Sequence, residues 1–232
     1  MTSSGTYNYT LSYGEAVLAA YARCKVRLPE LRQEHLIDAR RELNLLLAEW
    51  SNKQVNLWKV ALNSVPLVQG TPTYTLPANV VLILDAYRTI NNGASNQVDI
   101  YMSSISRTTY DAYASKFTQG PPISYWFDRL IVPTVTLWPV PDGGGPYTLN
   151  YHCVTQIQDA DVVSGQTPDI PYRWLDALVA GLAKRLGRIY ADPSLWPTLD
   201  GDALSAWSIA AQQDVEAVNV KLLPQLGQYY RP

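Results

Sequence analysis

Residues 171–190 read PYRWLDALVAGLAKRLGRIY, and this stretch sets the helical part of the expected fold. Pro171 stands where a proline opens a helix, because the N–H it lacks is one that the first turn leaves unpaired anyway. Leu175, Leu178, Leu182, Leu186 and Ile189 then recur every three or four residues and form one apolar stripe. Arg173, Lys184, Arg185 and Arg188 give the same helix a basic side, and such a face is usually solvated or salt-bridged. A helix with one stripe needs partners to bury it, and three other segments offer matching stripes. Ser12 and Glu15 make a capping-box pair, after which Tyr13, Val17, Tyr21, Cys24 and Leu28 keep helical spacing up to Pro29. A second helix is predicted over residues 31–53, with Leu36, Leu43, Leu47 and Trp50 on one face. A last one follows Asp202, with Leu204, Trp207, Ala211, Val215, Val218 and Leu222 as its face and Pro224 as its stop.

Between these helices the periodicity changes. From residue 55 to residue 158 the chain has short β-rich runs divided by Pro, Gly and Asn, and Trp58, Val60 and Leu62 alternate with Lys59, Ala61 and Asn63. Further strands are predicted over 80–90, 98–102, 124–130, 135–138 and 146–157, with one short helix over 107–116. Asp142 followed by Gly143, Gly144 and Gly145 is expected to turn a hairpin between the last two strands. The expected fold is α+β: a four-helix bundle formed by N- and C-terminal helical hairpins, carrying an inserted β-rich portion of antiparallel strands and an extended C-terminal tail. In residue terms the bundle takes 1–54 and 168–223, the β-rich portion 55–167 and the tail 224–232. The segment LLPQLGQYYRP at 222–232 is apolar and aromatic without periodicity, which suits a tail that docks on something else.

Composition narrows the function. The 232 residues are 47% hydrophobic but only 16% charged, with 16 Tyr, 7 Trp and 16 Pro, a profile suited to burying surface against neighbours. A net charge of -2 provides no basic excess for gripping phosphates. Two cysteines without CxxC spacing, Cys24 and Cys153, make neither a zinc site nor a disulfide framework and point to a reducing compartment. The polar start of the chain and the lack of any run of about eighteen apolar residues argue against secretion and membrane spanning.

Candidate chemistry fares poorly beside simpler readings. No phosphate-binding glycine motif is present, and Gly143 to Gly145 are better explained by a turn. His35 and His152 have no Cys or His nearby in sequence, so metal ligation and triad work lack support. Asp159, Asp161 and Asp169 resemble a carboxylate set for glycoside hydrolysis only superficially, since a polar connector is where Asp caps and turns. Trp58, Trp126, Trp138, Trp174, Trp196 and Trp207 offer a sugar platform in principle, but most fall on expected core faces. No catalytic residue, cofactor or metal ligand is assigned, and the chain is not read as an enzyme.

The order of segments says more than any one of them. ARRELNLLLAEW (39–50), GTPTYTLP (70–77), GPPISYWFDR (120–129), LWPVPDGGGPYTLNY (137–151) and ALVAGLAKRLG (177–187), taken in this order, resemble the head-to-tail adaptor (connector, head-completion) proteins of tailed bacteriophages, especially short-tailed ones. The resemblance spans residues 12–190. It implies a structural virion protein, made in the host cytoplasm, that forms a ring of usually twelve copies beneath the portal protein, retains DNA in the filled head and gives tail or nozzle proteins a platform. Implied partners are the portal, a tail or nozzle protein and neighbouring copies, with DNA passing through the lumen without sequence-specific binding and with no membrane involved. In such a ring the basic side of the 171–190 helix also has an acidic neighbour to meet. Family members commonly reach up the portal with a C-terminal tail, a role that here falls to Leu222, Leu223, Leu226, Tyr229 and Tyr230. Another tail-completion or nozzle component is the nearest alternative, and a glycan-binding or glycan-hydrolysing module a more distant one. The glycan reading requires two carboxylates and exposed Trp rings to converge on one groove.

Overall fold

Ser12 starts the first helix as the sequence implies. Its side-chain oxygen accepts the Glu15 N–H at 3.2 Å, and the Glu15 carboxylate accepts the Ser12 N–H at 2.8 Å, satisfying donors that a helix start leaves open. The computed structural model describes residues 5–6, 9–53, 56–161 and 165–215. Helix α1 covers Tyr13–Arg23 and stops at Cys24 rather than continuing to Pro29. Lys25 takes a left-handed φ of 62°, which ends the helical path, and Leu28, expected on the stripe, is left 69% exposed. Helix α2 covers Gln33–Lys53 and buries Ala39, Leu43, Leu46, Leu47 and Trp50, while Leu36 faces outward.

Seven strands and one short helix follow: β1 (Val60–Pro66), β2 (Thr73–Thr75), β3 (Val80–Ile90), β4 (Val98–Ser104), α3 (Arg107–Asp111), β5 (Ser124–Asp128), β6 (Thr134–Trp138) and β7 (Tyr147–Thr155). They form a single sheet in the order β1-β7-β3-β4-β5-β6-β2. All neighbours are antiparallel except β4 and β5, which pair in parallel through Ser103–Ser124 and Ser104–Tyr125. Two register shifts interrupt the β3–β7 ladder, between Val80 and Leu82 and between Ile83 and Asp85, and such irregularities bend strands.

Pro171 precedes a 3₁₀ turn at Tyr172–Trp174, and α4 proper runs over Leu175–Tyr190. Helix α5 covers Trp196–Gln213, so it begins ahead of Asp202, with Pro197 in its first turn. Val218 and Leu222 of its expected stripe lie outside the described residues.

The expected four-helix bundle with an inserted antiparallel portion is not what the chain forms. Among the described residues there are five α-helices and a curled mixed sheet of seven strands shaped as a half-barrel. Two physical features separate expectation from structure. The first is the burial of α4, which is not one-sided: Leu175, Ala177, Leu178, Val179, Ala180, Leu182, Ala183 and Leu186 are all buried, and only Ile189 of the expected stripe is exposed. A helix apolar almost all round sits at the centre of its neighbours, and α1, α2 and α5 each pack on α4 instead of forming two hairpins that meet face to face. Small residues permit this approach, since a Cβ on Gly181 would lie 3.1 Å from Leu46 side-chain atoms and one on Gly187 would overlap Leu199.

The second feature is the path from β6 to β7. These strands are not neighbours in the sheet, because β3, β4 and β5 lie between them. The Asp142–Gly145 segment is therefore a turn within a crossing connection and not the expected hairpin. The Asp142 carboxylate accepts the Gly144 N–H at 2.9 Å and the Tyr147 hydroxyl at 2.9 Å, which holds the turn without strand pairing. Two apolar cores result. One gathers Tyr13, Tyr21, Leu43, Trp50, Trp174, Leu178 and Leu186 around α4, and the other gathers Met102, Tyr125, Val135, Leu137, Leu149, Tyr151 and Cys153 inside the curled sheet.

Candidate functional site

The titratable residues singled out in the sequence do not assemble into a reaction centre. His35 is held at the start of α2, where its Nδ1 accepts the Arg32 N–H at 3.2 Å and its ring stacks on Tyr190 with centroids 4.5 Å apart. Burial, with the adjacent Asp38 carboxylate, pushes the Tyr190 hydroxyl up to about 12. His152 lies on β7 beside Tyr87. Cys24 donates its thiol to the Ala183 carbonyl at 3.3 Å, and burial pushes that thiol up to about 11, the opposite of what a nucleophile requires. Among the described residues no group of three or more His, Cys, Asp or Glu could hold a metal ion.

Asp159 and Asp169 do share a polar recess, of about 340 Å³, with Tyr13, Gln158, Gln166 and Thr167. Asp169 is already committed there: it takes the Lys59 ammonium at 2.6 Å and the Gln158 N–H at 3.3 Å. No Trp lines the recess. Trp174 is fully buried and packs between Trp50 and Trp58 at 5.1 and 5.2 Å. Trp126 and Trp138 belong to the sheet and engage α3 and the loop after it. Tyr110 packs on Trp126 at 5.6 Å, Tyr113 stacks on Trp138 at 4.0 Å, and the Trp138 Nε1–H donates to the Ser115 carbonyl at 3.1 Å. Of the candidate tryptophans Trp58 meets Asp169, donating its Nε1–H to the Asp169 carbonyl at 3.2 Å, but its ring packs on Trp174 and the Asp169 carboxylate is taken by Lys59, so these residues do not form an open groove of paired carboxylates and exposed rings.

The basic residues of α4 and of the turn before it are paired within the chain. Arg185 reaches Glu42 and Glu49, Arg188 and Lys184 share Asp200, and Arg173 meets Asp214 at 2.7 Å. The Asp214 side chain is fully buried and also accepts the Leu57 N–H at 3.3 Å, so that pair clamps the end of α5 onto the start of the β region.

What the molecule offers outward is apolar. Tyr9 and Leu11 ahead of α1, Ala19 and Arg23 on it, and Tyr172, Leu175, Asp176 and Val179 at the opening of α4 line a groove of about 730 Å³. An ion pair between Arg23 and Asp176, 2.6 Å long, lies on its rim. Elsewhere the loop joining β5 to β6 carries Leu130, Ile131 and Val132 into solvent, with Ile131 96% exposed. Sequence reasoning missed both. The hairpin was legible as an LIV run in a turn between Arg129 and Pro133, where polar residues are the norm. The groove was not, because its lining residues are scattered over the sequence. The tail residues Leu222, Leu223, Leu226, Tyr229 and Tyr230 lie outside the described residues.

Paired charges, buried thiols and apolar surfaces turned to solvent are what the described residues present. A family model described as SU10 adaptor protein matches residues 17–227, and the chain belongs to that family. It is a family of phage head-to-tail adaptors, which agrees with the resemblance carried by the ordered segments. No curated protein matches the chain. No helix among the described residues is long and apolar enough to cross a membrane.

Proposed function

We propose that this phage structural adaptor forms a ring beneath the portal, completes the DNA-filled head and gives tail or nozzle proteins their platform. The observation that carries the proposal is the family match over residues 17–227. A symmetric portal would align many copies, and avidity around the ring would make loss of the whole ring improbable even if each contact were modest. The residues assigned to the portal contact are Leu222, Leu223, Leu226, Tyr229 and Tyr230. DNA would pass the lumen without sequence-specific contact, in keeping with a net charge of -2.

Negative-stain imaging of the purified chain mixed with the portal ring of the same phage tests this. The expected result is an added closed ring at the narrow end of the portal, with twelve copies. A chain lacking residues 225–232 is expected to keep its circular dichroism spectrum and melting temperature but to lose portal attachment. Absence of any added ring with the full chain, together with binding to a tail component, would move the protein to the tail side.

A further inference from the structure

Among the described residues, neither the hairpin tip nor the groove is covered by another part of the chain. We infer that Leu130, Ile131 and Val132 of one copy seat in the groove between α1 and α4 of a second copy of this chain. The inference rests on the ring reading above and names the subunit contact that such a ring would use.

Four observations support it. Three consecutive aliphatic side chains stand 55%, 96% and 47% exposed, with Ile131 almost wholly in solvent, an arrangement that marks an interaction site. The tip is held on paired strands, with Asp128 opposite Thr134 in the β5–β6 register, so the three side chains are presented by a rigid support. The groove has the size and apolar lining of a preformed binding cleft, with Tyr9 and Tyr172 standing 74% and 76% exposed at its edges. Charges match as well. Arg129, next to the tip, is exposed and has no charge partner among the described residues, while Asp176 on the groove rim is 71% exposed despite its contact with Arg23.

A second copy is the occupant because the knob and the groove are different surfaces of one chain. Such a pair makes a heterologous contact, in which each copy offers its knob to one neighbour and its groove to the other, and a contact of that kind closes into a ring when its rotation permits. A self-complementary patch would stop at a dimer.

The experiment is cysteine cross-linking between two differently tagged chains, Ile131→Cys in one and Tyr172→Cys in the other, assembled together on the portal ring. Both native thiols are buried, so the introduced ones dominate the reaction. The expected result is a cross-linked heterodimer that forms only in the mixture. A companion variant, Ile131→Asp, is expected to keep its melting temperature and to weaken ring assembly by about tenfold or more, the loss of one central anchor repeated at every interface. Arg129→Asp and Asp176→Arg are each expected to lower assembly, and the double variant to recover it. A wild-type ring that assembles while the mixture yields no cross-link and Ile131→Asp assembles normally would overturn this contact and leave the ring reading standing. If Ile131→Asp instead forms normal rings that fail to bind the tail protein, the contact is likewise overturned and the tip belongs to the next component. Failure of the wild-type chain to form any ring on the portal would remove the ring reading and this contact with it.

Discussion

The polar side of α4 and the tip of the β5–β6 hairpin stand at opposite extremes. Lys184, Arg185 and Arg188 on α4, and Arg173 in the turn before it, each have an acidic partner in the same chain. At the hairpin tip, three aliphatic side chains enter solvent and Arg129 has no charge partner among the described residues. The difference teaches where each part expects its neighbours. The charged side of the helical layer is answered within the chain, whereas the hairpin tip, like the groove between α1 and α4, carries surface that gains free energy only when another molecule covers it.

The largest test of that contrast sets the helical core against the tip. Trp174 is fully buried and packs on two other tryptophans. Trp174→Ala is expected to cost about 3–5 kcal/mol in urea unfolding, through lost burial and the cavity left behind. Ile131→Ser, at a side chain of similar apolar character, is expected to stay within about 0.5 kcal/mol of the parent. If both lose comparable stability, the tip packs on its own chain in solution and the contrast disappears.

Next in size is the clamp between Arg173 and Asp214. The carboxylate is wholly buried, and the guanidinium, 26% exposed, is its only charged partner among the described residues. Arg173→Met is expected to cost about 3 kcal/mol, because it strands a buried charge. Asp214→Asn is expected to cost less, since an amide oxygen still accepts the Leu57 N–H and the guanidinium it leaves unpaired, at 26% exposure, keeps some contact with water. Equal costs for the two variants would show that water reaches Asp214 and that the helical layer is less closed than its charge pairing implies.

How much of this was legible beforehand depended on whether the signal was local. The Ser12–Glu15 box, the burial of Leu43, Leu47 and Trp50 along α2, and the whole of β3 over Val80–Ile90 follow from spacing and propensity, and all three appear where spacing puts them. Local signals do not say which elements touch. Leu204 keeps helical spacing with Trp207 and Ala211 and still ends 70% exposed, because α5 meets α4 along a different line. The Asp-Gly-Gly-Gly turn has every mark of a hairpin, yet β7 takes β1 and β3 as partners and leaves β6 to β5 and β2. Partner choice of that kind is made by the whole sheet and leaves no trace in the turn. The same limit hid the groove, whose two walls are α1 and α4, far apart in sequence. It did not hide the tip, where a run of three aliphatics breaks the rule for turns.

The smallest expected effect lies in the charge pairing itself. Hydrogen bonding from Lys53, aided by Arg185, holds the Glu49 carboxyl below the usual carboxylate range, against the opposing pull of partial burial. A carboxyl whose folded value is depressed contributes stability that is fully present above its unfolded value, about 4.3, and is lost as pH falls through the folded value. The contact is 2.6 Å to Lys53, but Glu49 is 40% exposed and Lys53 42%, so solvent screening limits the contribution to a few tenths of a kcal/mol. Glu49→Gln is therefore expected to lie slightly below the parent in stability at pH 7 and to converge with it near pH 3. The two unfolding curves, measured at both pH values in low salt, should differ by less at 1 M salt, where exposed pairs are screened. A gap that persists at pH 3 would mean that Glu49 acts through packing against α4 and not through its charge. The pairing of charges along α4 would then rest on shape, the property in which the hairpin tip differs from it most.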